Sequence, residues 1–391
     1  MKKVYYISIL AIATFLLAMF LPWLINLCGA KKSNSSFTLY SSAVNDFTYV
    51  QPQEGKTPLY KSRKGRVFTE DEFDSINPYF FYRQLATDNR LPEGITANQI
   101  RKSNFNIRVA PSDFNSPSIA LYPLFESLSG RVDLKTPEDV FRINSKGIEF
   151  VQMRTNEVNK DKSKIFTDAL KSVGFEFPAN LIAGNPTSLK DYDNGYLLVD
   201  KKKDLYHLKM IKGKPFAKHI LNDLKVKNII VAEFPAKKIL AFINDADNNV
   251  FTLSMDDYSW KGLPFKWDSS DEPLSIMGNM QDWTVTKRAD DGVYHYAINN
   301  ANYGLIDKQF TPNQQNVVEK IKTWIFPFEI SMTSWKSGWL GLDFSQFSLL
   351  ALIINVILGV SYYIIRRDYI MSLFIIPFGL FLYIPALVFK R

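Results

Sequence analysis

The run YLLVDKKKDLYHL, residues 196–208, decides how the middle of this chain is read. Four apolar residues, a polar turn around Lys201-Lys202-Lys203 and a second apolar run describe a β-hairpin. A solvated turn is the ordinary reading of that basic triplet. The same wording returns as LYKSRKGRVFT (59–69), LAFINDADNNVFTL (240–253) and WTVTKRADDGVYHY (283–296). The aromatic that opens each second strand falls at Phe68, Tyr206, Phe251 and Tyr294, the last three 45 and 43 residues apart.

Tyr122 in IALYPL and Phe166 in KIFTDAL extend the series with gaps of 44 and 40 residues. A four-stranded propeller blade repeats at about 40–50 residues. The spacing therefore predicts a mainly β, propeller-like body of about six irregular blades. A β-sandwich with long loops gives similar local signals, and Asp161 to Val173 also reads as a short helix.

The ends of the chain read differently. From Val4 to Leu27 there is no charge, with Lys2-Lys3 before the run and Lys31-Lys32 after it. It is long enough to span about 30 Å of hydrocarbon and longer than the usual signal-peptide core of about 7–15 residues. A retained anchor is expected over a cleaved signal. A lipidated Cys28 is disfavoured by the bulky Leu27 before it. Near the other end, FSLLALIINVILGVSYYII (347–365) and IMSLFIIPFGLFLYIPALVF (370–389) are parted only by Arg366-Arg367-Asp368-Tyr369, so an antiparallel helical hairpin is expected, either fully spanning or dipping in and returning. Pro377 and Pro385 should kink its second arm.

The division expected is an anchor over 1–29, an extracytoplasmic body over 30–345 and a hairpin over 346–391, with three transmembrane helices. Basic residues in the tight turn and at the start place those ends on the cytoplasmic side. The same reading leaves Lys390 and Arg391 outside, against the trend. Trp324, Phe326, Phe328, Trp335 and Trp339 read as interfacial aromatic anchors, or else as closure of the soluble core.

Composition bounds the function. The 391 residues are 46% apolar and 22% charged, with mean hydropathy −0.11, which averages apolar ends and an ordinary soluble middle. The formal net charge of +8 is spread among acidic residues, and no zinc-finger, helix-turn-helix or RNP-like signature accompanies it, so nucleic acid is disfavoured. The single Cys28 permits no intramolecular disulfide. No G-x-S-x-G, HExxH, C-x-x-C or Walker-type loop is present, which excludes those routes to hydrolysis.

NPYFFYRQL (77–85), LYPLFESLSGR (121–131), PEDVFRI (137–143), GNPTSLKDYDNGYLLVD (184–200) and LYHLKMIKGKP (205–215), with the apolar start and two-helix end, resemble an uncharacterised family of membrane-anchored bacterial proteins. The resemblance implies an inner-membrane protein working beside ABC-type permease and ATPase subunits. It brings no active site with it.

Candidate binding residues are few. Tyr79, Phe80 and Tyr82 belong to an aromatic run suited to a ligand mouth or an interface, though core packing is the commoner fate. His207 and His295 follow equivalent tyrosines. They would share a pocket only if two blades present them together, and surface strand histidines are far commoner than metal ligands. Asp245, Asp247 and Asn249 echo a calcium loop, but Val250 occupies the position that needs Gly, and an Asx turn explains the same letters. In the second apolar segment Asn355, Gly359 and Ser361 are candidates for packing against a partner helix. No metal or cofactor is indicated. The expected function is a non-catalytic accessory subunit. A stand-alone ligand sensor and an envelope hydrolase are the alternatives.

Overall fold

The computed structural model describes residues 2–29, 36–128, 130, 133–222, 225–313, 317–332, 335–345 and 347–389. Lys31, Lys32, Lys390 and Arg391, and the side chains of Lys2, Lys3 and Cys28, lie outside that description. The chain forms two compact units. One combines residues 1–34 with 312–391, and the other is the β unit, 35–311. The first helix, α1 (Lys2–Gly29), belongs to the former.

The β unit is a succession of antiparallel sheets whose strands are mostly neighbours in sequence. Sheet one runs β1 (Phe37–Ser41), β2 (Asp46–Gln53), β3 (Lys56–Ser62), β4 (Val67–Phe68). Then come α2 (Glu70–Ile76), α3 (Tyr82–Thr87), α4 (Ala97–Ser103), β5 (Phe105–Val109) and α5 (Ser112–Asn115). Sheet two is β6 (Tyr122–Pro123), β7 (Asp139–Ile143), β8 (Ile148–Gln152) and β9 (Val158–Asn159), followed by α6 (Lys160–Ser172). Sheet three is β10 (Leu181–Gly184), β11 (Tyr196–Val199), β12 (Leu205–Ile211) and β13 (Lys214–Leu221). Sheet four is β14 (Val226–Val231), β15 (Ile239–Asp245), β16 (Asn249–Ser254) and β17 (Trp260–Lys266). The last is β18 (Leu274–Gly278), β19 (Asp282–Ala289), β20 (Gly292–Asn299) and β21 (Leu305–Pro312), with β5 added beside β18.

All four hairpins read from the repeats form, with Tyr60 opposite Phe68, Leu198 opposite Tyr206, Ile243 opposite Phe251 and Lys287 opposite Tyr294. Three of the six aromatic marks, Tyr206, Phe251 and Tyr294, occupy the third strand of successive sheets. The others are out of phase, and the described residues hold five sheets of blade size, not six. Phe166 lies on a helix. Asn159 caps it by accepting from the Lys162 amide at 3.0 Å, and Ser163, Phe166 and Leu170 line one buried face at helical spacing. That inserted helix and the α2–α5 stretch break the 45-residue period.

The inner strands β11, β15 and β19 are buried on both faces. Phe141, Phe150, Phe166 and Tyr206 form a core between sheets two and three; Leu205, Ile229 and Ile243 one between three and four; Phe242, Trp267, Ile276 and Trp283 one between four and the last. Tyr40, Phe47 and Tyr49 with Ala297 join sheet one to the last sheet. Arg63 bridges Asp46 at 2.9 Å and Asp307 of β21 at 2.6 Å across the same junction. Asp245 accepts from the amides of Asp247 and Asn249 at 2.9 and 2.7 Å, so the calcium-like letters spell an Asx turn.

The other unit contains α7 (Val317–Ile325), a short hairpin of β22 (Glu329–Ser331) and β23 (Asp343–Ser345), then α8 (Leu349–Arg366), α9 (Tyr369–Phe378) and α10 (Leu380–Val388). Residues 312–345 thus belong with the apolar helices and not with the β unit that ends at Thr311. Phe326 and Phe328 pack on Phe381, while Trp324, Trp335 and Trp339 are exposed, so none of the five aromatics closes the β core.

Two helices, Val4–Leu27 within α1 and Leu349–Arg366, are long and apolar enough to cross a bilayer. The expected third span is not one helix. It breaks at Gly379 (φ +56°, ψ −136°) and folds back. Phe381, just past the break, stacks on Phe326, and Ser348 at the start of α8 bonds to Thr323 and Pro327. At the other end of α10, the carbonyls of Leu387 and Phe389 accept from Arg366 at 2.7 Å and Tyr6 at 3.5 Å. Each arm has 10 or 9 residues, about 15 Å of helix, half a bilayer's hydrocarbon.

Candidate functional site

A cleft of about 310 Å³ opens in the β unit where β1, the α2–α3 turn, β5 and the β18–β19 turn converge. Capping builds one wall. Thr69 accepts from the Glu72 amide while the Glu72 carboxylate accepts from the Thr69 amide, which fixes the start of α2. The helix ends at Asn77, whose amide donates to the Phe73 carbonyl at 3.0 Å. Ser41 of β1 donates to the Ile76 carbonyl at 2.5 Å and ties the strand to that helix end.

The opposite wall is an Asx turn. Asn279 accepts from the amides of Gln281 and Asp282 at 2.7 and 3.0 Å, and its own amide donates to the Asp282 carboxylate at 2.9 Å. Asp282 is 1% exposed. Burial raises its pKa to about 6, against hydrogen bonds from Asn279 and Ser42 that favour the anion. The floor is aromatic. Phe105 stacks on Phe234 at 4.5 Å and meets Trp283 edge-on at 5.2 Å. Its ring occupies the space a side chain would need at Gly278.

Asn104 adds an unfinished group. Its amide donates to the Tyr79 carbonyl at 2.6 Å, and its buried Oδ1 has no partner among the described residues. Such an acceptor costs about 1–3 kcal/mol unless a bound molecule or water serves it.

A second cleft of about 490 Å³ continues along β1 and β5 and shares Arg108 and Met277 with the first. Arg288 and His295 also line it. Both arginines are exposed and without an ion pair among the described residues. His295 is 6% exposed, with Nδ1 3.0 Å from Thr286 and Nε2 3.5 Å from Thr38. Burial, then the Arg288 charge, lowers its pKa to about 4, so the ring is neutral at pH 7.

Of the residues expected from sequence, Tyr79 and Phe80 line the first cleft and His295 the second. Phe80 is 45% exposed and rests on Phe37 at 5.2 Å. Tyr82 lies at the start of α3 beside Arg83 and lines neither cleft. His207 does not join His295. It sits in sheet three, where its Nε2 donates to the Asn194 carbonyl at 2.5 Å and its Nδ1 accepts from the Tyr258 hydroxyl at 2.9 Å. Both nitrogens are used, and burial lowers its pKa to about 4. Among the described residues no cluster of three metal-ligating side chains occurs.

Sequence reading missed Asp282, Asn104 and Arg108. A lone Asp opening a strand carries no local signature, and only the fold sets it beside Tyr79. It also missed what 184–200 is for. Lys190 Nζ, 7% exposed, donates to Asp193 at 2.5 Å and to both oxygens of Glu233 at 2.8 and 2.7 Å. Asn185 and the Asn194 amide also donate to Glu233, at 2.6 and 2.7 Å. This clamp fastens the β10–β11 connection to the segment after β14.

Asn355, Gly359 and Ser361 are taken up by the chain's own hairpin. Asn355 is fully buried and donates to the Ile376 carbonyl at 2.9 Å. A side chain at Gly359 would reach 2.8 Å from the Ser372 carbonyl, and Ser361 lies 3.0 Å from the Tyr383 hydroxyl.

A family model described as "Domain of unknown function (DUF4857)" matches residues 37–298. No curated protein matches the chain. A solved structure of S. cerevisiae Dbp5 bound to Nup159, Gle1, IP6 and ADP aligns at 12% identity over 60% of this chain and 55% of that chain, with a TM-score of 0.26, too low to carry an argument.

Proposed function

For this chain, which belongs to the DUF4857 family, we propose a non-catalytic accessory role in an ABC-type transport complex of a bacterial inner membrane. The β unit is the extracytoplasmic, ligand-binding part. The apolar helices hold it at the membrane beside permease and ATPase subunits.

The observation that carries this reading is the paired cleft along β1 and β5. It combines an aromatic floor, a carboxyl with raised pKa and two arginines that make no ion pair among the described residues. Concave, mostly apolar sites with a few convergent polar groups are where proteins bind small molecules. An apolar group fits the first cleft and an anionic one the second.

The sheets support a propeller-like body in this proposal. Each is built of antiparallel strands, sheets two, three, four and the last share cores in succession, and β5 from an early part of the chain is added beside β18.

A hydrolase is the second reading, favoured by the carboxyl of Asp282. Among the described residues that line this cleft Asp282 is the only carboxylate, whereas glycoside hydrolysis ordinarily uses two.

The deciding experiment is purification of the full-length protein from its native membrane in mild detergent, with mass spectrometry of what accompanies it. A polytopic permease and an ATPase in near-equal amounts are expected. Recovery of the protein alone would overturn the accessory reading.

A further inference from the structure

We propose that the β unit binds a phosphate monoester with an apolar tail, its phosphate held between Arg108 and Arg288 and its tail running past Met277 into the first cleft. This deepens the ligand-binding reading of the β unit and rests on it. The phosphate site lies in the second cleft, of about 490 Å³.

Strand register builds the site. Arg108 of β5 lies opposite Ser275 of β18, Ser275 opposite Thr286 of β19, and Thr286 opposite His295 of β20. Directly paired residues share a sheet face, so one row of an arginine, two hydroxyls and a histidine crosses four strands. All four side chains line the second cleft. Their sequence neighbours Ile107, Ile276 and Val285 lie in the core against sheet four, on the other face. Beside the row β1 covers the sheet, with the Tyr40 amide donating to the Thr284 hydroxyl at 2.8 Å. Arg288 stands two residues beyond Thr286 on β19 and lines the same cleft. At about 4.8 Å between strands and about 3.4 Å per residue, its Cα is about 12 Å from that of Arg108. Two arginine side chains close that gap over Ser275 and Thr286.

The chemistry of the row selects the occupant. Arg63, Arg90 and Arg142 each hold a carboxylate. The side chains of Arg108, Arg288 and Ser275 make no ion pair or hydrogen bond among the described residues. Asp113 is the one carboxylate among the described residues lining this cleft; it is exposed and accepts from the Ala110 amide at 2.8 Å. A single guanidinium fork already serves both oxygens of a carboxylate. Two guanidiniums and a hydroxyl match the three terminal oxygens of a phosphate monoester, whose charge of about −1.5 to −2 answers both cations. The tail has a path. Arg108 and Met277 line both clefts, and Met277 is about 7 Å along β18 from Ser275. Beyond it Leu39, Ile76 and Phe80 offer apolar walls in the first cleft.

The test uses the full-length protein in a maltoside detergent, with hexyl phosphate as probe and titration calorimetry as readout. Saturable binding is expected. Arg108→Gln and Arg288→Gln, both at exposed positions, should each weaken it about tenfold, the scale of one charge-assisted hydrogen bond, with near-UV signals unchanged. Lysine at either position should recover part of the loss, as a point charge without the fork. Inorganic phosphate, which buries no methylenes, and heptanoate, which has the same tail on a carboxylate, should each bind at least about tenfold more weakly. Hexanol should not bind saturably. Competition by phosphatidic acid in the same micelles marks a membrane lipid as the natural source, and its absence marks a soluble ester. Equal affinity for heptanoate, equal affinity for inorganic phosphate, or unchanged binding in both glutamine variants would each overturn the assignment and leave a β unit that binds something else. Failure of all four probes to bind would sink both the assignment and the ligand-binding reading of the cleft.

Discussion

Asn355 Nδ2 donates to the carbonyl of Ile376 at 2.9 Å, and this bond closes the helix end that Gly379 leaves open. In an unbroken helix that carbonyl would receive the amide of residue 380, which the reversal at Gly379 carries away. Within hydrocarbon a freed carbonyl costs several kcal/mol, so a side chain from the neighbouring helix must serve it. Gly379 has positive φ, and any side chain there would collide with the Asn355 amide.

Asn355→Leu should therefore destabilise the helical unit by about 1–2 kcal/mol, the range for interhelical hydrogen bonds in membranes. Gly379→Ala should cost more, because it adds backbone strain to the same lost bond. Denaturant titration of the purified protein in detergent, followed by tryptophan fluorescence, measures both. Equal stability of Asn355→Leu and wild type would mean that the bond does not hold the hairpin.

The reversal also sets topology. Tyr6 bonds to the carbonyl of Phe389, and Arg366 to that of Leu387, so the far end of α10 returns to the level of the α8–α9 turn. In a Cys28→Ser background, cysteines introduced at Tyr369 and at Phe389 should react with a membrane-impermeant maleimide from the same side. A cysteine at Trp339 should react from the opposite side. Labelling of the 369 and 389 positions from opposite sides would restore a full third span.

Sequence reading reached the hairpins and the apolar ends because their signals are local. Alternating residues around a turn set the register of Tyr196 to Leu208 whatever surrounds it. Phe166 shows where period arguments fail. Spacing put it on a strand, but Asn159 as a cap and apolar residues three and four apart put it on a helix, and the cap decided. The third apolar stretch misled for a related reason. Hydropathy sums over twenty residues and does not register one Gly in a conformation that reverses the chain. Tyr79, Phe80 and His295 were legible as unusual residues. Their assembly with Asp282 and Arg108 was not, since the partners are separated by up to about two hundred positions in sequence.

The buried histidines make stability depend on pH in a definite direction. Both fall from an ordinary 6.5 to about 4, so between pH 6.5 and 4 the unfolded chain binds protons that the folded one refuses. Stability is lost as pH falls through that window, by about 3 kcal/mol for each histidine at 1.36 kcal/mol per pH unit. Asp282 works the other way. Its carboxyl is raised to about 6, so its contribution is present at low pH and is lost as pH rises from about 4 to 6. Denaturation midpoints from pH 7.5 to 4 should therefore fall on acidification. Asp282→Asn, which removes the opposing trend, should steepen that fall. A flat profile in the wild type would show that the histidines are not held neutral.

The clamp around Lys190 offers the sharpest stability test. Lys190, Asp193 and Glu233 have side chains 7%, 3% and 2% exposed, and burial already raises the Glu233 pKa although Lys190 and the Asn194 amide oppose it. Lys190→Met leaves two carboxylates buried with no cation, which should cost about 3–5 kcal/mol. Two consequences separate this from a simple packing defect. Adding Glu233→Gln to Lys190→Met should recover part of the loss, because one of the stranded charges is then gone. The gap between Lys190→Met and wild type should also narrow as pH falls, since protonating Glu233 relieves the variant more than the intact ion pair. A double-mutant cycle in denaturant at pH 7.5 and pH 5 reads both effects. If the double variant is no more stable than Lys190→Met at either pH, the network matters through its shape and not its charge.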